Sequence, residues 1–346
     1  MKPLLFPWME PAFEALLAMR ARLPHALLLT GSERIGKREL ARHFAQSLLC
    51  ESPPPIGYPC GQCGACRWFA EGNHPDYREV VPETMQADPE TGAAEEDGTG
   101  EATGGKTMVA PSKVIKIGQI RALDGFFNVG THRAGRRIVL VYPADAMNAD
   151  ACNALLKVLE EPPAATLFLL VTSRPAAVLP TVRSRCARLT VGRPDQRLVL
   201  EWLDAQGVRE PERALAEAGG APLAAADVDP AAEYREILLE ALSAARPIDP
   251  VAMAEKCDKA GAANISLWLS RWTSDLLRCG ADGDVRYHPQ HVKVLQQVAR
   301  NAPIDGLFAF QNKLLRMRRV AEHPLNPRLF VEDLLIDYAR LAAPRS

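Results

Sequence analysis

The stretch Ala26-Leu27-Leu28-Leu29-Thr30-Gly31-Ser32-Glu33-Arg34-Ile35-Gly36-Lys37-Arg38 joins a short apolar run to a glycine-containing loop and then to a helical pattern. The apolar run predicts a buried strand, and residues 38–49 predict a helix. In such a strand–loop–helix unit, the backbone amides of the loop and the helix N-terminus can cradle phosphate groups. The spacing G-x-x-x-x-G-K therefore predicts a phosphate-binding loop with Gly31, Gly36 and Lys37 as candidate binding residues. The alternative is a glycine turn between a strand and a helix.

Two parts that would handle a metal ion are missing around this loop. A hydroxyl-bearing residue should follow the lysine and bind Mg²⁺, but the chain has Arg38 there. Adjacent acids should end a later strand, but the predicted strand 137–142 runs into Tyr142-Pro143. Asp145 follows three residues after Tyr142, and we expect it to point elsewhere. Both losses argue against hydrolysis, and they leave ATP binding doubtful.

Further strands are predicted at 77–81, 166–172 and 187–191. Several of these runs are continuously apolar, which is typical of strands that are covered on both faces of a parallel sheet. Helical patterns lie between them, among them 150–161, which predicts an α/β fold. After residue 193 the strand patterns end, and amphipathic helices divided by turns predict an all-α remainder.

The length of 346 residues suggests two or three domains. The changes in pattern favour three: an α/β module at 1–193, a small helical unit at 194–228 and a helical domain at 229–346 with about five helices. Residues 83–106 interrupt the first module, because they include almost no large apolar side chain. Such a segment buries too little surface to offset its ordering entropy, so we expect a flexible surface insertion.

Charge is nearly balanced, with 41 Lys and Arg against 42 Asp and Glu. A net charge of −1 argues against binding nucleic acid mainly through a strong positive field. The insertion holds seven acids and one lysine, or −6, which leaves +5 for the rest of the chain. Basic clusters at 132–137 and 313–319 suit solvated or subunit-contacting faces better than direct contacts to DNA phosphates, which remain the alternative.

Four of the eight cysteines form a C-x9-C-x2-C-x2-C pattern: Cys50, Cys60, Cys63 and Cys66. The spacing brings four thiolates within reach of one ion, and four thiolates suit tetrahedral Zn²⁺. A filled shell has no open position, so the pattern predicts a structural zinc site in an insert at 50–66. Unligated thiols or an iron site are the alternatives.

The first ten residues lack the basic-then-apolar pattern of a secretion signal, and no apolar run approaches the ~20 residues that span a bilayer. We therefore expect a cytoplasmic protein with no membrane partner and with reduced cysteines.

Several motifs along the chain are similar to those of one known family. They are Leu23-Pro24-His25-Ala26-Leu27-Leu28-Leu29, the four cysteines, Asn153-Ala154-Leu155-Leu156-Lys157-Val158-Leu159-Glu160-Glu161-Pro162-Pro163, Ser184-Arg185-Cys186, Leu325-Asn326-Pro327 and Glu332-Asp333-Leu334-Leu335. With these motifs the chain resembles the clamp-loader ATPases of the AAA+ class, and among them the delta-prime subunits of bacterial DNA polymerase III. The resemblance spans nearly the whole chain apart from the acidic insertion. It implies an AAA+ type P-loop module with a zinc insertion, a small helical lid and a C-terminal helical collar.

The resemblance gives Arg185 a specific role. On composition alone, Arg183 and Arg185 would be surface charges. In the family, the arginine of Ser-Arg-Cys is an arginine finger, which enters the ATP site of a neighbouring subunit and stabilises charge in the transition state. The resemblance therefore implies gamma or tau as the receiving partner, together with delta, the sliding clamp and, through the complex, primed DNA.

Three departures from the ATPase members indicate a subunit that does not hydrolyse ATP. They are Arg38 after the loop lysine, Tyr142-Pro143 after the third sheet strand, and Pro222 where an arginine of the lid would sense nucleotide. The alternative is an active clamp-loader ATPase of the same fold. A zinc-ribbon nucleic-acid binder is disfavoured by the near-neutral charge, and a polymerase label would describe the assembly rather than this chain.

Overall fold

A computed structural model describes residues 5–86, 111–128, 130–131, 135–244, 248–318 and 326–342. The chain divides into two compact units, Met1–Val199 and Leu200–Ser346. The expected flexible insertion lies outside the described residues from 87 onward, as do 132–134 and 319 of the two basic clusters. The finer division into three modules stays a prediction.

The first unit is built on one parallel sheet. Its strands are β1 (Ala26–Thr30), β2 (Tyr77–Val80), β3 (Arg137–Val141), β4 (Thr166–Thr172) and β5 (Ala187–Thr190). Their order across the sheet is β2-β3-β4-β1-β5, and all four pairings are parallel. Every position of β1, β3 and β4 is buried, because these strands lie inside the sheet and helices cover them. The predicted α/β class is confirmed, and each strand ends within one residue of its predicted end.

Helices precede, separate and follow these strands. They are α1 (Glu10–Ala18), α2 (Lys37–Leu49), α3 (Gly64–Ala70), α4 (Ile117–Arg121), α5 (Leu123–Asn128), α6 (Ala149–Glu160) and α7 (Pro180–Ser184), with α8 (Gln196–Ala205) at the boundary of the two units. One apolar core joins α4, α5, α6 and α7 to alternate residues of β1, β3 and β4. Helix α2 contacts β1, β3 and β4.

Helix α6 shows how local sequence sets an element's ends. Asn148 is its N-cap, and the side-chain oxygen accepts a hydrogen bond from the amide of Ala151 at 2.8 Å. The helix ends at Glu160, directly before Glu161 and Pro162, since proline disfavours helical geometry in the residue before it. Leu155 and Leu159 face the core. The predicted helix is confirmed with its start one residue earlier.

The second unit is helical. It contains α9 (Pro211–Glu217), α10 (Pro222–Ala226), α11 (Ala232–Ser243), α12 (Pro250–Lys256), α13 (Ala262–Gly280), α14 (Val292–Asn301), α15 (Ile304–Met317) and α16 (Pro327–Ala342). Helix α13 contacts α14, α15 and α16, and its fully buried Trp272 donates a 2.9 Å hydrogen bond to the hydroxyl of Tyr338. Six helices follow residue 229 among the described residues, one more than expected. Within the described parts of the chain, no helix is both long and apolar enough to cross a membrane.

Candidate functional site

The carboxyl ends of the sheet strands bring the predicted site residues together. Because all strands run in the same direction, the segments after β1, β3 and β4 meet at one edge. These segments are the phosphate loop, Tyr142-Pro143 and Thr172-Ser173-Arg174. The loop and the position of the missing acids therefore lie close together, with the Arg38 guanidinium over the Tyr142 ring.

The loop has the backbone of a tight phosphate loop. Gly31 and Gly36 have φ angles of 152° and 100°, which other residues rarely adopt. A Cβ atom on Gly31 would lie 2.7 Å from the carbonyl oxygen of Val191, and one on Gly36 would lie 2.5 Å from the Phe6 ring. Both glycines are therefore required by the chain's own packing, whether or not a ligand binds.

Lys37 is held by oxygen atoms of the protein. Its side chain is buried, and its ammonium donates to the carbonyl oxygen of Ser32 and to Oγ of Ser173, the latter at 2.9 Å. Burial disfavours the charged form and lowers the pKa of Lys37 to about 8. The cation that would reach β- and γ-phosphates is thus engaged inside the fold.

Arg38 occupies the position at which an active P-loop protein has a hydroxyl that binds Mg²⁺. Its Nε donates to Oε1 of Glu79 at 2.6 Å, and Arg42 donates to Oε2 of the same carboxylate at 2.6 Å. The guanidinium of Arg38 also lies over the ring of Tyr142, 5.5 Å from its centroid. An ion pair and an aromatic ring therefore occupy the positions of the expected metal ligands.

Asp145 is engaged near the same edge. Thr172 donates its hydroxyl hydrogen to Oδ1 of Asp145, and Arg174 donates from Nε to Oδ2 at 2.8 Å. The side chain of Asp145 is buried, while that of Arg174 is largely exposed. Both carboxylate oxygens are bonded, so Asp145 does not replace the missing acids without breaking these contacts.

An aromatic segment before α1 covers the loop. The rings of Phe6 and Trp8 are stacked, with centroids 5.1 Å apart. Trp8 donates from Nε1 to the carbonyl oxygen of Ile35 at 2.7 Å, and Phe6 lies against Gly36. Sequence reasoning missed this contact, because nothing in the local pattern of residues 6–8 indicates where the segment folds back.

The four predicted cysteines form one cluster. Their sulfur atoms lie within 4.8 Å of one another, with Cys50–Cys63 at 3.9 Å and Cys60–Cys66 at 4.0 Å. Four sulfurs around Zn²⁺ at about 2.3 Å would be about 3.8 Å apart, so the donor set fits this ion. Cys50 follows the last residue of α2, and Cys63 is the N-cap of α3. The cluster thus joins the ends of two helices.

The environment of the sulfurs differs within the cluster. Backbone amides of Gln62 and Cys63 donate to Cys60 and lower its pKa to about 6, which favours the thiolate. Burial raises the pKa of Cys66. Among the described residues, no other group of histidine, cysteine and acidic side chains has metal-binding geometry.

Arg185 lies directly after α7. The amide of Arg185 bonds to the carbonyl of Val182, whose side chain is fully buried in the core that contains α6. The guanidinium is partly exposed; it donates to the carbonyl of Thr181 at 3.1 Å and forms an ion pair with Glu160. Glu160 belongs to the motif that ends in Pro162-Pro163, but nothing in the local sequence indicates that it pairs with Arg185.

The second basic cluster is partly neutralised. Lys313 contacts Asp333 and Asp337 of α16, each at 2.6 Å. These contacts favour a packing role for Lys313 within the helical unit.

Comparisons with known proteins agree with the motifs. A family model described as "DNA polymerase III, delta subunit" matches residues 12–195, and one described as "DNA polymerase III, delta subunit, C terminal" matches residues 230–340. The curated DNA polymerase III subunit delta' of Pseudomonas aeruginosa is 33% identical over 98% of this chain and 99% of its own length. That of Escherichia coli is 31% identical over 70% of this chain and 66% of its own length.

Among solved structures, a gamma-subunit-related protein from Thermotoga maritima aligns with 96% of this chain and 99% of that chain, at 19% identity and a TM-score of 0.49. The near full-length match to a curated relative and the two consecutive family matches show the family. The chain belongs to the delta' subunits of bacterial DNA polymerase III.

Proposed function

We propose that this chain is a clamp-loader subunit that does not hydrolyse ATP and that donates Arg185 to the ATP site of a neighbouring gamma or tau subunit. The observation that supports this proposal best is a contrast, within the first unit, between the phosphate loop and Arg185. At the sheet edge, the protein's own side chains occupy the positions of the metal ligands. At the end of α7, an arginine is partly exposed.

Hydrolysis of ATP needs a metal ion that bridges the phosphates and a group that orients the attacking water. Arg38 brings a positive charge to the metal's position and is paired with Glu79, while Tyr142 offers no carboxylate. Lys37 would have to leave Ser173 to reach a phosphate. These contacts favour a structural P-loop over the alternative, an active ATPase.

Isothermal titration of ATP into the purified chain, with a parallel phosphate-release assay, tests whether the chain binds and hydrolyses ATP. We expect no turnover above background and at most weak binding. Micromolar binding together with Mg²⁺-dependent turnover would contradict it and favour the alternative ATPase.

The finger role rests on the position and chemistry of Arg185. A guanidinium stays charged at every physiological pH and offers a planar set of donors that suits phosphate oxygens. Its helix is anchored by buried Val182, so the side chain starts from a fixed backbone. Arginine fingers in other systems contribute on the order of 10³ or more in rate.

The remaining parts of the proposal concern structure and partners. The four cysteines would hold one structural Zn²⁺, and the helical second unit would form the collar contacts with gamma or tau and delta. Through this assembly the subunit would help to place the sliding clamp on primed DNA. The delta' names of the curated relatives support this setting.

The decisive experiment is Arg185→Ala in the reconstituted clamp loader. We expect the clamp- and DNA-stimulated turnover of the ATP site that receives Arg185 to fall by roughly 10³. Arg188→Ala is the matched control, since Arg188 is exposed on β5 and its side chain makes no hydrogen bond or ion pair among the described residues. Unchanged ATPase in the Arg185 variant, with assembly intact, would refute the finger role.

A further inference from the structure

The guanidinium of Arg185 is held from two directions. NH1 donates to the backbone carbonyl of Thr181 in α7, and NH2 donates to Oε1 of Glu160, the last residue of α6. Two of the five N–H groups of the guanidinium make these bonds, which leaves three for another acceptor. The held side chain can therefore still bind a phosphate.

The two helices that carry this pair are fixed relative to each other. Leu155 and Leu159 of α6 and Val182 of α7 belong to one buried core. Because both backbones are anchored there, the fold itself places residues 160 and 185 within reach of each other. Arg183 shows the contrast: its NH1 donates to the carbonyl of Pro175, and it has no carboxylate partner among the described residues.

The ion pair is exposed enough for another anion to replace Glu160 as the partner of Arg185. The relative side-chain exposure is 36% for Arg185 and 52% for Glu160. Ion pairs at such surfaces are weak, since water and salt screen them. A phosphate group carrying more charge than a carboxylate can therefore compete for the same guanidinium.

Ordering a free arginine side chain costs rotamer entropy. A contact that restricts the side chain before it docks reduces the part of this loss that falls on docking. From these observations we infer that Glu160 is a positioning residue: it orients Arg185 for entry into the neighbouring ATP site. This inference rests on the proposed finger role of Arg185.

A double-mutant cycle in the reconstituted clamp loader tests the inference. The variants are Glu160→Ala, Arg185→Ala and the double variant, assayed for clamp- and DNA-stimulated ATPase at saturating and limiting ATP. We expect Glu160→Ala to lower kcat about fivefold, with KM for ATP little changed. In the Arg185→Ala background, the same substitution should have no further effect, because its role passes through Arg185.

Two further variants separate positioning from general structure. Glu160→Gln keeps an oxygen that accepts from NH2, so its kcat should lie between those of the wild type and Glu160→Ala. Glu161→Ala removes a neighbouring exposed carboxylate that makes no side-chain hydrogen bond or ion pair among the described residues, and it should leave kcat unchanged.

The possible failures are distinct. If Arg185→Ala has no effect, the finger role is wrong and the inference falls with it. If Arg185→Ala lowers turnover but Glu160→Ala does not, the finger role stands and Glu160 has no positioning role. An effect of Glu160→Ala that persists at full size without Arg185 would also overturn the inference.

Discussion

Nε of Arg38 lies 2.6 Å from Oε1 of Glu79 and donates a hydrogen bond to it. The two residues are 41 positions apart in the chain, at the start of α2 and within β2. Where an active P-loop protein would need a metal ligand, this chain has an internal ion pair. The glycines and the lysine of the loop likewise contact the protein itself, so they have structural roles that do not require ATP.

Removal of Arg38 should weaken the first unit. Glu79 is largely buried and would keep only Arg42 as a charged partner. We expect Arg38→Ala to lower the free energy of unfolding by about 1–3 kcal/mol, the usual range for lost hydrogen bonds to charged groups. Urea denaturation measures it, with Arg193→Ala as an exposed control. Equal stability of wild type and Arg38→Ala would show that the pair contributes nothing.

Loss of one zinc ligand should remove the metal. We expect the purified chain to contain one Zn²⁺ and Cys60→Ser to contain almost none, since three thiolates hold the ion far less tightly than four. Elemental analysis measures the content, and the melting temperature should fall because the cluster joins α2 to α3. Cys279→Ser, outside the cluster, is the control. Full zinc content in Cys60→Ser, or bound iron in the wild type, would contradict the assignment.

His43 should make the stability depend on pH. It is buried on α2 against Phe13 and Tyr58, neither ring nitrogen has a hydrogen-bond partner, and burial lowers its pKa to about 4. Since the unfolded chain binds the proton first, this residue's contribution falls as pH drops from about 6.5 to 4, by about 3 kcal/mol in total.

His43→Phe should remove that dependence. The variant keeps an aromatic ring between Phe13 and Tyr58 and has no group to titrate. The measurement is the difference in free energy of unfolding between wild type and variant at pH 7 and pH 4.5; the shared loss of the thiolate site at acid pH cancels in it. A difference that is the same at both values would exclude this role.

Asp275 should be important for the second unit. Its fully buried carboxylate accepts hydrogen bonds from the backbone amides of Arg286, Tyr287 and His288, and it contacts Nδ1 of His288 at 2.9 Å. Asp275→Ala would leave these buried donors without an acceptor, at a cost of about 3 kcal/mol or more.

Denaturation followed by circular dichroism measures this effect, with exposed Asp284→Ala as the matched control. Similar stability of both variants would show that solvent or rearrangement replaces the carboxylate.

Local sequence was sufficient to predict those elements whose geometry is set by residues that are neighbours in the chain. The apolar run of β1, the glycine loop and α2 follow one another directly, and the cysteine spacing needs only short turns. Asn148 and Pro162 lie within one residue or two of the ends of α6. In each case, the residues that decide the geometry are neighbours in the chain, so the geometry can be predicted without knowledge of the tertiary structure.

The side-chain pairings that engage the candidate site residues join parts of the chain that are far apart in sequence. Lys37 and Ser173 are 136 residues apart, and Arg185 and Glu160 are 25 apart. Nothing in composition or periodicity says that these side chains meet.

By itself, the sequence determined the fold class through its hydrophobic period, and it indicated the family through its motifs. It also predicted candidate site residues, because glycine positions and ligand spacing act over a few residues. Only the tertiary structure decided what these residues do to one another. The strand order brings Ser173 to Lys37, β2 brings Glu79 to Arg38, and the shared core of α6 and α7 brings Glu160 to Arg185. The physical reason is that an ion pair or hydrogen bond depends on distance in space, which the packing of the sheet and helices sets.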